Sequence, residues 1–366
     1  MFTDSYGLSD GVSNSISRLK EGLVKRGHEV YIFAPSKIKS GYYENDKTFY
    51  FFGLPFLPYP EYVITMKKNI NRLIENLKIN LVHIHTPGLV GTKALMVSRD
   101  FGIPSIFTYH TDIFTALPIY TRFLPVRLTT YLLKDYIRWF IRRVNGFIVP
   151  SKYILNQLRR ILSEVEWKKP HWVVPTGLKI EDYIFDQNYK PVPPYRILSV
   201  GRVAREKNLE IIIDAMNFLP SGYTLVIAGK GPALDYYKRY VRNKKLDTRV
   251  HFLGFVSEER LRYLYSHSDG FVIASKFDTQ GMVIHEAFAS GLPVACINEG
   301  AVREFVTPGV NGYLFEEDPE HCAHIIKKII KNRTILSSRC RESVKKYSVD
   351  NFVQQMIQMY NVVLNA

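Results

Sequence analysis

Short runs of Val, Ile, Leu and Phe recur along the chain, and most close in Gly, Pro, Ser or Thr. In the first half they are HEVYIFAP (28–35), NLVHIHT (80–86), IPSIFTY (103–109), GFIVPS (146–151) and HWVVPT (171–176). In the second half they are YRILSVG (195–201), YTLVIAG (223–229), RVHFLG (249–254), DGFVIAS (269–275) and LPVACI (292–297). Between them lie stretches with helical spacing. Near-continuous apolar strands alternating with helices predict parallel sheets covered on both faces. Ten such strands exceed one ordinary sheet, so two doubly wound halves are predicted.

The boundary falls in PTGLKIEDYIFDQNYKPVPPY (175–195), which is polar, Pro-rich and followed by a fresh strand. This predicts a first domain over 1–176, a linker over 177–195 and a second domain over 196–345. The remainder, 346–366, holds an amphipathic helix from Ser348 to Leu364, expected to pack back towards the first domain. Ligands are expected in a central cleft faced by the two domains, at the carboxyl ends of the strands. Only Met1 and Phe2 precede the first loop, so the first strand is short or the chain starts late.

Composition adds exclusions. With 366 residues, 46% apolar and 23% charged, the chain is globular rather than disordered. No run of 18 apolar residues predicts a membrane-spanning helix, and the start lacks the basic and apolar regions of a signal peptide. Three widely spaced cysteines, Cys296, Cys322 and Cys340, argue against a disulfide framework or a Cys-rich zinc site and fit a reduced compartment. The net charge of +15 is uneven: residues 1–178 carry +11 and the rest +4. Residues 119–160 hold nine basic residues and one acid, Asp135. Such a patch attracts phosphates, whether of an anionic membrane, a nucleic acid or another polyanion. A solvated basic face is the plainer alternative.

Five loops carry candidate chemistry. In Phe277–Ala287, Gly281 opens a helix after the strand FVIAS. Free amides and the positive dipole end there form an anion site. Asp278 and Glu286, eight apart, could each accept two sugar hydroxyls. Spacing alone equally allows Asp278 as a helix cap and Glu286 as a solvated side chain. Gly201-Arg202 to Lys207, after RILSV, suggests diphosphate binding. Gly229-Lys230-Gly231-Pro232 reads first as a turn. His110 sits at a strand's carboxyl end, where it could exchange protons, although a lone His is more often structural. His83 and His85 point to one side of the sheet and with His110 could imitate a metal site, but no carboxylate spacing supports one. Gly7–Asn14 is a glycine loop lacking both the GxGxxG and the GxxxxGK[ST] patterns.

Taken in order, these motifs resemble the family 4 retaining glycosyltransferases of the GT-B fold, α-glucosyl- and α-mannosyltransferases among them. Asp278-x7-Glu286 is similar to the family's E-x7-E element. Arg202 to Lys207, the turn Gly229–Pro232, FLGFV (252–256), ASGLPV (289–294) and GVNGYLF (309–315) also match. The resemblance implies an α/β GT-B architecture, two Rossmann-like domains about a cleft. It implies that Arg202, Lys207 and the amides of Met282 and Val283 beside Gly281 hold the donor diphosphate. Glu286 would bind the ribose, Val256 the base, and Asp278 and His110 the transferred sugar. Gly11 would sit by the diphosphate and acceptor. The donor would be a UDP- or GDP-hexose used as co-substrate, with no metal or other cofactor, because Arg and Lys neutralise the leaving group. The family usually has Glu at position 278, and losing a methylene draws the carboxylate back by roughly 1.5 Å.

The run Thr108–Thr111 with Thr176 is most similar to diacylglycerol glucosyltransferases, which implies a lipid acceptor. Residues 115–147 interleave apolar and aromatic positions with Arg122, Arg127, Lys134, Arg138, Trp139, Arg142 and Arg143. A basic amphipathic helix of this kind suits an anionic membrane interface, although such stripes also pack on cores. The expectation is a peripheral enzyme on the cytoplasmic face of the cell membrane, without a specific nucleic-acid partner. A soluble sugar or glycan acceptor is the nearest alternative. A 2-epimerase or a non-enzymatic polyanion binder would leave the second-domain motifs unexplained.

Overall fold

The computed structural model describes residues 1–7, 11–56, 59–65, 70–112, 114 and 125–366. The chain divides into two compact units: Met1–Gly177 with Val349–Ala366, and Leu178–Ser348.

Unit 1 holds β1 (Ile32–Ser36), β2 (Gly41–Tyr43), β3 (Thr48–Phe56), β4 (Tyr59–Thr65), β5 (Val82–Ile84), β6 (Ser105–Thr108), β7 (Gly146–Val149) and β8 (His171–Val173). β1 pairs parallel with β3, and β5 to β8 lie side by side, also parallel. Phe2 joins the two sets through single parallel bridges to Phe33 and Ile84. Its N–H donates to His83 O at 2.8 Å, and its carbonyl accepts from His85 N–H at 2.8 Å. The first strand is thus a single bridged residue. The order β3-β1-Phe2-β5-β6-β7-β8 reverses direction at Phe2, as a doubly wound sheet does. Phe2 stacks on Phe33 at 4.3 Å, at the centre of this core. β2 and β4 pair antiparallel with β3 and lie outside the strand-helix alternation read from the sequence.

The last helix, Val349–Leu364, belongs to unit 1. Its apolar face (Phe352, Val353, Met356, Met359, Tyr360, Val363) is buried with Leu19, Leu23, Ile106 and Ile148. Gly22 permits this approach, since a Cβ there would stand 2.4 Å from Val353 Cγ2.

Unit 2 holds β9 (Tyr195–Val200), β10 (Tyr223–Ala228), β11 (Val250–Gly254), β12 (Gly270–Ile273), β13 (Val294–Ile297) and β14 (Gly312–Phe315). All are parallel, in the order β11-β10-β9-β12-β13-β14. The reversal between β9 and β12 marks where a ligand crevice forms in such sheets. The expected linker 177–195 is in fact mostly packed into this unit. Leu178 is buried and bridges Ser348, and the Arg341 guanidinium donates to the carbonyls of Ile180 at 3.1 Å and Tyr183 at 3.3 Å. Composition marked the segment as polar, but long-range partners from residues 341–348 hold it down.

Candidate functional site

In unit 2, every motif singled out by sequence follows a strand, so all of them stand at the carboxyl edge of one parallel sheet. A crevice opens at the β9/β12 reversal, lined in part by Gly201, Arg202, Lys207, Ser275 and Asp278. Three cations crowd the loop after β9, and they are not equivalent. Arg205 stacks on Tyr236 at 4.0 Å and pairs with Glu210 at 2.7 Å, which occupies it structurally. Arg202 and Lys207 line the crevice, and Arg202 lies 3.9 Å from Glu206.

Lys207 Nζ donates to Asp278 Oδ1 at 2.6 Å, both side chains being 23% exposed. Burial pushes the Asp278 carboxyl up, but the Lys207 charge and its hydrogen bond outweigh that and hold it below the ordinary 3.8. Asp278 is therefore a carboxylate whose first partner is Lys207, across 71 positions of sequence. Three residues on, Gly281 takes φ +71 and opens the helix Met282–Ala289. The first bond of that turn runs from Ile284 N–H to Gly281 O at 2.9 Å, leaving the Met282 and Val283 amides without acceptors inside the helix. Glu286 lies one turn further on, its Oε2 held by the buried Tyr265 hydroxyl at 2.8 Å. Val256 follows β11 and is partly buried against the core.

The Gly229–Pro232 turn supports the Arg202 loop through its backbone. Gly201 N–H donates to Ala228 O at 3.0 Å and Val203 N–H to Lys230 O at 2.9 Å. A Cβ on Gly229 would meet Gly201 O at 1.8 Å, and one on Gly231 would meet Val203 O at 2.2 Å.

In unit 1, His110 lies two residues beyond β6. Its Nε2 is 3.0 Å from His85 Nδ1, and the His85 ring lies 3.9 Å from that of His83, tilted by 34°. His83 bonds Tyr360 and Thr108, each at 2.7 Å. Among the described residues no group of three or more His, Cys, Asp or Glu is arranged to hold a metal ion. Gly11 is the exposed first residue of the helix Gly11–Val24. Sequence reading missed Asp4, whose carboxylate accepts from Thr86 Oγ1 at 2.6 Å and Val90 N–H at 2.9 Å, tying down the start of the helix Leu89–Asp100.

Burial holds the three imidazoles below the ordinary 6.5, His110 at about 4 and His83 and His85 well below it. The unfolded chain therefore binds more protons than the folded one below pH 6.5, and stability falls with pH across that window. All three tryptophans, Trp139, Trp167 and Trp172, lie in unit 1. The expected result is a lower denaturant midpoint by tryptophan fluorescence at pH 5 than at pH 7. Equal midpoints would contradict the buried neutral imidazoles.

The basic helix Val126–Arg143 divides along its length. Arg142 pairs with the fully buried Glu166, and Arg138 donates to Ile161 O and to Asp135 at 3.2 Å. Arg143 covers Trp139 at 4.3 Å. These contacts lie within the unit, and Arg142 and Arg143, expected at a membrane or acceptor, remain exposed. Arg127 and Lys134 make no ion pair with a described residue, and they flank Leu128, Tyr131 and Leu132, exposed by 51%, 62% and 57%. Arg122 lies outside the described residues. No helix among the described residues is long and apolar enough to cross a membrane.

Both units are doubly wound, and unit 2 carries a cationic crevice at its strand reversal. Residues 9–182 match Glycosyltransferase Family 4 and residues 181–347 match Glycosyl transferases group 1. The chain belongs to these glycosyltransferases and has the GT-B fold. It is 27% identical to the alpha-monoglucosyldiacylglycerol synthase of Acholeplasma laidlawii, over 98% of this chain and 96% of that protein. The Streptococcus pneumoniae protein of the same name is 25% identical, over 98% and 84%. The structure of Anabaena Alr3699/HepE in complex with UDP and glucose superposes with a TM-score of 0.74 at 18% identity, covering 98% of each chain.

Proposed function

We propose that this glycosyltransferase is a retaining, metal-independent hexosyltransferase that uses a UDP- or GDP-hexose and a lipid acceptor at the cytoplasmic face of a membrane. The observation that carries the reading is the crevice where Arg202 and Lys207 meet Asp278 beside the open amides of Met282 and Val283. Two fixed cations and a helix start suit a diphosphate that gains charge as its bond to the sugar breaks. They take the neutralising part that a divalent ion plays elsewhere. Glu286, oriented by Tyr265, holds the ribose hydroxyls; the Val256 backbone meets the base. Asp278 keeps Lys207 in place and receives the sugar hydroxyls, His110 contacts the transferred sugar, and Gly11 leaves room for the diphosphate and acceptor.

In the transfer, the acceptor oxygen bonds to the anomeric carbon on the face the diphosphate leaves. The bond from that carbon to the diphosphate breaks, and the diphosphate oxygen takes the acceptor proton. No second carboxylate is needed as a nucleophile, unlike in retaining glycosidases.

Support for a lipid acceptor comes from the similarity to proteins named as diacylglycerol glucosylating enzymes and from the helix Val126–Arg143. Leu128, Tyr131 and Leu132 form an exposed apolar face at i, i+3 and i+4, with Arg127 and Lys134 beside it. Each basic residue near an anionic leaflet contributes about 1 kcal/mol. The double variant Arg127→Ala/Lys134→Ala is thus expected to bind anionic vesicles roughly 30-fold more weakly in sedimentation, with secondary structure unchanged. The functional test supplies radiolabelled UDP-glucose or GDP-mannose over those vesicles and counts label in the organic phase. Label confined to water would discard the lipid acceptor while keeping the transferase.

A further inference from the structure

We propose that Glu317 is a positioning residue whose carboxylate grips the two loops that bring Lys207 to Asp278, one oxygen on each loop. This rests on the reading that Lys207 and Asp278 meet the nucleotide sugar. Lys207 follows β9 and Asp278 follows β12, so their 2.6 Å contact depends on the spacing of two separate loops. Asp278 has a single methylene, and its reach is set chiefly by where its backbone stands.

Glu317 lies two residues beyond β14. Its Oε1 accepts from Asn208 Nδ2 at 3.3 Å. Asn208 directly follows Lys207 and closes the turn Arg205–Lys207 with φ +53. The other oxygen, Oε2, is 2.5 Å from Lys276 Nζ, and Lys276 stands two residues before Asp278. One carboxylate thus spans the gap between the loop of Lys207 and the loop of Asp278. Its own place is fixed from both sides. Asp318 caps the helix Pro319–Lys331 by accepting from His321 N–H at 2.6 Å, and Asn298 Nδ2 donates to Glu316 Oε1 at 2.8 Å. Lys276 has a second anchor after β13, Glu299 Oε2 at 3.1 Å. Gly300 beside it takes φ +70, and a Cβ there would meet Lys276 O at 2.6 Å. Burial pushes the Lys276 ammonium down, but Glu317 and Glu299 outweigh that and hold it above the ordinary 10.5. The loops after β9, β12, β13 and β14 therefore form one connected edge, in which Glu317 joins the two that line the crevice.

Two properties of Glu317 separate positioning from plainer roles. Its side chain is 49% exposed, and exposed ion pairs contribute little to stability. It is also an anion, so by charge alone its removal would favour a bound diphosphate. Positioning demands the opposite sign.

The test is titration calorimetry of the intact protein with UDP and with GDP, followed with whichever the wild type binds more tightly. Glu317→Ala is expected to weaken that nucleotide about tenfold while moving the melting of unit 2 by no more than about 4 °C. Asn208→Gly keeps the positive φ without steric cost and removes only the link to the Lys207 loop. It is expected to weaken binding about fivefold, and the double variant to bind no more than about twofold weaker than Glu317→Ala, because both changes cut one connection. Unchanged or tighter binding in Glu317→Ala overturns the proposal and leaves Glu317 a surface charge. Fully additive losses in the double variant overturn it as well. Lys207→Ala separates the two levels. If it weakens the nucleotide while Glu317→Ala does not, the donor reading stands and only the role of Glu317 falls. If Lys207→Ala binds like the wild type, or the wild type binds neither nucleotide, the donor reading fails and the proposal falls with it.

Discussion

Lys207→Ala is expected to lower kcat/KM for the nucleotide sugar by roughly 10²- to 10³-fold, the usual cost of losing one preorganised group at a site of developing charge. Two effects add. Under the proposed function the diphosphate loses a cation at the β9/β12 reversal, and Asp278, 23% exposed beside Lys207, loses its 2.6 Å partner. Burial then acts on the Asp278 carboxyl unopposed by Lys207 and pushes it up, so the carboxylate becomes harder to maintain. Arg205→Ala is the matched control. Its guanidinium is spent on Tyr236 and Glu210, so donor kinetics should stay within about threefold. Steady-state kinetics with donor varied decides the matter. A Lys207→Ala enzyme with unchanged kcat/KM would remove the crevice from the mechanism.

Gly229→Ala is expected to damage unit 2 as a folded body. Gly229 takes φ +151, which alanine avoids, and the added Cβ would stand 1.8 Å from Gly201 O. A backbone carbonyl cannot rotate away as a side chain can, so the Arg202 loop must shift. The strain is of order 2–4 kcal/mol, which corresponds to a melting shift of roughly 5–15 °C for a unit of this size. Calorimetry should show one transition moved down. Tryptophan fluorescence reports only on unit 1 and should keep its midpoint. Nucleotide binding should weaken at temperatures where unit 2 is still folded, because the displaced loop carries Arg202. A Gly229→Ala protein with wild-type melting and binding would show that the turn does not scaffold the loop.

The strand-helix alternation was legible because parallel strands buried on both faces read as continuous apolar runs. All ten runs became strands. β2, β4 and β14 are short or antiparallel additions whose pairing comes from β3 and β13 rather than from their own pattern, and β3 lies in the same aromatic hairpin. Phe2 is a strand of one residue, specified only by neighbours more than 30 positions away. Local motifs placed Arg202, Lys207, Asp278, Gly281 and Glu286 on one sheet edge. Their pairings were not legible: Lys207 with Asp278, Tyr265 with Glu286 and His85 with His110 are contacts across 71, 21 and 25 positions. The same limit governed the basic helix. Charge counting cannot know that Arg138 finds Ile161 O and that Arg142 finds the buried Glu166, both brought in by a later segment. Within the helix Val126–Arg143, Arg127 and Lys134 have exposed apolar neighbours and make no ion pair with a described residue.

The proposed function is transfer of a hexose from a nucleotide sugar to a lipid with retained configuration. The measurement that tests it most directly is proton NMR of the anomeric position in the glycolipid formed from UDP-α-glucose or GDP-α-mannose over anionic lipid vesicles. An α-linked glycolipid, absent with Lys207→Ala, is the result this account predicts. A β-linked product, or no glycolipid from either donor with the wild-type protein, would contradict it.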